Sequence, residues 1–204
     1  MVFPLPELMG RLDTACRRTG APIAVLALPG ATSEQLDTAE HALGFALPAD
    51  VRAWFSWHNG QRFDDGGGYE PTIGGCFWLY SVERCVAHRQ EGLDFASRYF
   101  PAEADEWYAP SWFPLAESAP GLLFADCAAW SDGGSPVGLQ DKEEIDYPSA
   151  EPTLTELVAL WVDTLESGAG AYDPAHPAWL LDQVRLRTYP IKYSNYALQS
   201  PDAG

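Results

Sequence analysis

The chain has 204 residues and a formal charge of -17, from twelve Lys and Arg against twenty-nine Asp and Glu. With 47% hydrophobic and 13% aromatic residues it is a folding chain, long enough for one well-packed core. Such acidity argues against direct nucleic-acid binding and against anionic membranes, since both need basic patches, and favours solubility or a basic partner. The start, Met-Val-Phe-Pro, has no basic segment before an apolar run, so no secretory signal is expected. The longest apolar run, Ile23 to Pro29, is far too short to span a bilayer. Cysteines at 16, 76, 85 and 127 form no CxxC pair, which suits reduced thiols in a cytoplasmic protein. Only two of the twelve basic residues are Lys, the pattern of a GC-rich bacterial coding bias.

In chain order, Leu5, Leu8, Leu12, Ala15 and Cys16 recur at helical spacing, so a helix is predicted from Pro4 to Arg18 with Gly20 as its left-handed cap. Ile23 to Leu28 fits a strand or a buried connection, which periodicity does not separate. Thr32 and Gln35 form a capping box that opens a helix burying Leu36, Ala39 and Leu43 and closing at Gly44. Leu47-Pro48 starts a further helix, with Val51, Trp54, Phe55 and His58 on one face and Asn59-Gly60 as its stop. Asp64-Asp65-Gly66-Gly67-Gly68 and Gly74-Gly75 mark a loop, Cys76 to Tyr80 a strand, and Ser81 the cap of a helix reaching Phe100. The period then changes to two: Trp112 to Leu115, Leu122 to Cys127 and Val137 to Gln140 read as antiparallel strands. Thr153 and Glu156 form a second capping box, and its helix carries Leu154, Leu157, Val158, Trp161 and Leu165 up to Gly168. Pro174 to Arg187 is compatible with a helix, and a tyrosine-bearing tail follows. No internal repeat or interdomain linker is evident.

The chemistry-bearing residues do not converge. His58 titrates near neutral pH, as a general base must, but no nearby pattern supplies a nucleophile or an orienting partner. It therefore reads as a structural residue at a helix end. Cys85 and His88 lie one helical turn apart without the further ligands a zinc site needs, so neither a metal nor a cofactor is expected. The glycine-rich stretch has no phosphate-loop order, and no nucleophile elbow is present. From Pro101 to Asp173 there are fifteen acidic residues and one basic residue, Lys142. Asp141, Glu143, Glu144 and Asp146 cluster at the turn after a predicted strand. They read either as a solvated face or as a docking surface for a basic protein. Trp57, off the core face of its helix, and Trp130, in a loop with Asp132, are the aromatic candidates for a protein interface.

One ordered set of residues resembles a known family: Glu40, Leu43, Gly44, Leu47, Pro48 and Asn59-Gly60, followed by the Phe77-Trp78-Leu79, Trp112 to Leu115 and Leu122 to Asp126 strands and a capped helix. The order and spacing are similar to those of the SUKH superfamily, which includes Smi/Knr-type cell-wall regulators of fungi and many bacterial immunity proteins. The resemblance covers about residues 30 to 167, leaving an N-terminal helix and connection (1–30) and a C-terminal extension (168–204). It implies an α+β fold with a small, mostly antiparallel sheet flanked by helices, and a non-catalytic protein-binding role. Its bacterial members typically neutralise toxin proteins, often nucleases. The expectation is then a cytoplasmic immunity protein, a monomer or weak oligomer, whose partner is a basic toxin domain. A regulatory scaffold for cellular proteins and a carboxylate-based hydrolase are the alternatives.

Overall fold

The computed structural model describes residues 3–62, 73, 77–117, 121–141, 145–146, 152–173, 175 and 178–186. The glycine-rich loop between 63 and 72, Gly74-Gly75, Cys76, Glu143, Glu144, Pro174 and the tail from 187 lie outside the described residues. The chain builds eight helices and seven strands among them: α1 (Leu5–Thr19), α2 (Ile23–Leu26), α3 (Ser33–Leu43), α4 (Ala49–Trp57), β1 (Trp78–Leu79), α5 (Val82–Tyr99), α6 (Ala104–Trp107), β2 (Trp112–Glu117), β3 (Gly121–Asp126), β4 (Val137–Asp141), β5 (Ile145–Asp146), α7 (Leu154–Glu166), β6 (Gly170–Asp173), β7 (Ala178–Leu181) and α8 (Gln183–Leu186).

The locally signalled helices form where local chemistry places them. Thr32 and Thr153 each accept from the backbone of the residue three positions on, while Gln35 and Glu156 return the bond to the cap. Ser81 accepts from the Arg84 amide at the start of α5. Gly20 and Gly44 close α1 and α3 in the left-handed conformation.

The open choice at 23–28 resolves into a single helical turn, α2, followed by an extended stretch that runs beside the end of α4. Leu28 N–H donates to Gly60 O, Asn59 N–H to Pro29 O, Ala31 N–H to Phe55 O and Arg62 N–H to Leu26 O. These bonds satisfy Phe55 O, one of the carbonyls that a helix leaves orphaned at its C-terminus. They also correct the expected stop of α4. His58, extended at φ -142, ends the helix, and no described residue other than glycine has a positive φ. Asn59 is therefore not a left-handed brake.

Strands β1 to β5 form an antiparallel meander in sequence order, and β6 and β7 form a separate hairpin. Pro174 to Arg187, compatible with a helix by sequence, is largely otherwise among the described residues: Gly170 pairs with Leu181 and Asp173 with Ala178, and of the described residues in this range only the turn Gln183–Leu186 is helical. Pro114 sits in β2 opposite Phe124, next to a bulge between Pro114 and Ala116. Proline has no N–H for a ladder, and β1 reaches only Ala116 and Glu117, so β2 is an edge strand where the proline falls.

A period of two in the strand sequences implies alternating burial, yet Trp112 to Ala116 and Leu122 to Ala125 are buried without interruption. Both faces of the sheet are covered. Phe113, Leu123 and Ala125 join the main core, where Phe55 of α4 meets Phe113 edge-on and Trp161 of α7 packs between Trp54 and Phe77. Trp112 and Phe124 stack at 4.3 Å in a second cluster with Ala96 of α5 and Tyr108. Helix α1 buries Leu5, Leu8, Met9, Leu12, Ala15 and Cys16 in the main core, packed against α7 and α4.

Candidate functional site

The motif residues sit where elements are locked together. Glu40 accepts the Leu47 N–H at 2.9 Å and pairs with Arg52 at 2.6 Å, so α3 holds the connection that begins α4. Arg52 also reaches Asp37 at 3.1 Å. Leu43 and Leu47 are buried, and Pro48 is the N-cap of α4. The Asn59 side chain accepts the Val82 N–H at 2.7 Å, one of the orphan donors at the start of α5. Its amide also donates to Glu83, whose other carboxylate oxygen accepts from Gln35 of the first capping box. Burial would raise the Glu83 carboxyl, but hydrogen bonds from its own amide, Ser81, Gln35 and Asn59 outweigh that and hold it below its ordinary range. This set joins α3, α4 and α5.

His58 belongs to a second lock. Its Nδ1 lies 2.8 Å from Leu28 O and its Nε2 lies 3.1 Å from Asp13 Oδ1. Both partners are acceptors, so neither ring nitrogen has a lone pair aimed at a substrate. Trp57 donates its indole N–H to Asp13 Oδ2 at 3.0 Å and packs its ring on His58 at 4.4 Å. Cys16 lines the same depression with Asp13, Ile23 and His58, a grouping that resembles a thiol-imidazole-carboxylate triad. Three observations oppose that chemistry. The depression has no room for even a water molecule. Burial pushes the Cys16 thiol up to about 12, so the thiolate is scarce at neutral pH. The ring is also bonded at both nitrogens. His58 is thus a structural tie between α1, α4 and the extended stretch.

The Asp13 lock has a pH signature. Burial would raise this carboxyl, but hydrogen bonds from His58 and Trp57, with the charges of His58 and Arg17, hold it below its ordinary value of 3.8. A depressed folded value means that its stabilisation is complete above the unfolded value and is lost as pH falls through the folded one. Asp13→Asn is therefore expected to lower stability at neutral pH and to flatten the acid limb of the stability profile, read by urea melts from roughly pH 2 to 7. An acid limb identical to that of the parent would show that Asp13 is not held this way.

Cys85 is fully buried, its thiol pushed up by burial. Buried His88 Nδ1 has no partner among the described residues. No group of three or more His, Cys, Asp and Glu among the described residues could hold a metal ion.

The proposed interface residues do not assemble into one site. Trp57 is half-buried, with its polar edge engaged by Asp13. Trp130, 46% exposed, and exposed Asp132 lie on the loop between β3 and β4. That loop is pinned to the start of α4, where Asp50 accepts from Ser135 N–H at 2.6 Å and from its hydroxyl at 2.8 Å. Asp141 and Asp146 are backbone positions of β4 and β5. Asp141 stands at the opposite end of β4, since Val137 follows the Trp130 loop and Asp141 pairs with Gly121 at the far end of the ladder, while Asp146 pairs with Leu139 at the middle of the strand.

What the sequence reading missed is an exposed aromatic group on α5 and α6. Phe95 and Tyr99, one turn apart on α5, contact at 4.7 Å, and Phe100 stacks on Trp107 at 4.0 Å. Phe95 and Tyr99 fall on the flank of the stripe made by Val82, Cys85, Arg89 and Ala96, and that i, i+4 spacing was the available signal.

The architecture defines the class: an α+β domain in which an antiparallel meander is wrapped by helices and residues such as Glu40 and Asn59 serve as interhelical locks. The model of the SMI1 / KNR4 family (SUKH-1) matches residues 30–157, and the chain belongs to that family. A comparison with curated proteins finds no match. No helix among the described residues is long and apolar enough to cross a membrane.

Proposed function

We propose that this chain is a non-catalytic, cytoplasmic protein-binding domain that neutralises a toxin, with a basic toxin domain of the nucleic-acid-cleaving kind as its partner. The observation that carries the reading is the charge of -17 on a chain of this family, with fifteen acids against one base between Pro101 and Asp173. A toxin that acts on nucleic acid carries a basic surface, and an acidic protein can occupy that surface in place of the substrate. The structural roles of His58 and Cys16 support a binding role over a catalytic one.

Co-expression with a toxin candidate sought among the genes neighbouring this one tests the reading. Protection accompanied by a stable complex is the expected result. Protection without a complex, or a complex without protection, would refute direct neutralisation. A cell-wall or signalling operon in that place would instead favour a regulatory scaffold.

The charge also has a kinetic consequence. Replacing Asp141, Glu143, Glu144 and Asp146 by Asn and Gln is expected to slow association with the partner, with binding that weakens as salt rises. Stopped-flow association rates at two ionic strengths read this directly, and rates equal to the parent's would place the interface elsewhere.

A further inference from the structure

Three of the seven large hydrophobic residues exposed among those described, Phe95 at 54%, Tyr99 at 60% and Trp107 at 38%, fall in a single group. The other four, Val25, Trp130, Leu180 and Val184, lie on other elements. Scattered apolar residues are ordinary on a surface, but a contiguous aromatic group marks an interaction site. The group is rigidly mounted. Phe95 also lies 6.1 Å from Phe100, which stacks nearly flat on Trp107 with an interplanar angle of 14°. Beneath it, Tyr108 packs in the cluster with Ala96, Trp112 and Phe124. Gly92 leaves the room for that ring, since a Cβ there would fall 2.5 Å from it.

The surroundings of the rings are anionic. Exposed Glu91 and Asp94 lie on α5, and exposed Glu103 and Asp105 lie in and just before α6. Between Gln90 and Glu117 the sequence holds six acids against two bases if buried Arg89 next to it is counted, and Arg98 alone within the span. Gln140 of β4 donates to Trp107 O at 3.4 Å, so the group also adjoins the strand that runs on into Asp141.

We propose that the Phe95, Tyr99, Phe100 and Trp107 surface is the anchor for a basic protein partner, whose arginine side chains stack on the rings while their charge meets the flanking carboxylates. This rests on the reading of the chain as a binder of a basic protein. Charge complementarity selects that occupant. A second copy of this chain would bring a like-charged rim against the first, which costs energy at every approach. Arginine suits the surface better than lysine, because its planar guanidinium stacks on aromatic faces and pairs with carboxylates at the same time.

The test uses the full chain with oligo-arginine and oligo-lysine peptides of equal length at physiological salt, and a Phe95→Ser/Tyr99→Ser variant that leaves every charge in place. Both side chains are more than half exposed, so the melting temperature is expected to hold. The parent should bind the arginine peptide more tightly than the lysine peptide. The variant should lose about tenfold in affinity for the arginine peptide and most of the preference. Hydroxyl-radical footprinting of the parent should show Phe95, Tyr99 and Trp107 protected by the arginine peptide, a readout that needs no variant to fold. Unchanged affinity in the variant, or protection elsewhere, would overturn the anchor while leaving the basic-partner reading in place. Failure of the parent to bind either peptide would overturn both. Self-association of the parent that the variant abolishes, seen by sedimentation, would make a second copy the occupant and overturn the proposal.

Discussion

Gly30→Ala is expected to unfold the protein or to lower its stability by about 3 kcal/mol or more. A Cβ at this position would fall 1.8 Å from Ser56 O and 2.5 Å from Ser56 C. Both atoms belong to the backbone of α4, so no side-chain rotation relieves the overlap. The chain on either side is fixed as well, because Leu28 and Ala31 donate to Gly60 and Phe55 while Pro29 accepts from Asn59. Moving residue 30 away from α4 would break those bonds and uncover the end of the helix. The cost would appear as a large drop in melting temperature or as loss of soluble protein. A melting temperature equal to the parent's would mean that this stretch does not lie against α4.

Gly60→Val is expected to cost about 2 kcal/mol or more, from two separate causes. Gly60 has a φ of +87°, a region that a β-branched residue enters only with strain. Its Cβ would also meet Ser81 N at 2.8 Å and Tyr80 C at 3.2 Å, again backbone atoms. Those contacts adjoin the bond from Val82 N–H to Asn59, so the strain would loosen the start of α5 as well. Urea denaturation of the variant measures the loss. An unchanged midpoint would show that the close approach between Gly60 and Ser81 is absent.

Which features could be read in advance follows the range of the interactions involved. The two capping boxes, the Ser81 cap and the apolar stripes of α1 and α7 were legible because each is made by residues within a few positions of one another. The family was legible as a resemblance, and the fold class followed from it. The purposes of the motif residues were not. Asn59 reads locally as a helix stop, but its side chain serves the amide of Val82, twenty-three positions on. His58 reads as an isolated imidazole, and Asp13, forty-five positions back, decides its role.

The errors have the same origin. Ala178 to Leu181 has the composition of a helix as much as of a strand, and only its pairing with Gly170 to Asp173 makes it a strand. The acids at 141 to 146 and the tryptophans at 57 and 130 have no readable relation to one another in the sequence, because nothing in their spacing measures distance through the fold. The β4 ladder separates the Trp130 loop from Asp141, while α4 and α1 enclose the polar edge of Trp57.

By itself, then, the sequence determined the charge, the capped starts of α3, α5 and α7, the class of fold and the family, all of which depend on composition or on neighbours along the chain. The tertiary structure alone decided which titratable groups are spent on structural bonds and which aromatic rings remain outside. Burial and exposure depend on what packs against a residue, and that is settled by contacts between elements far apart in the chain.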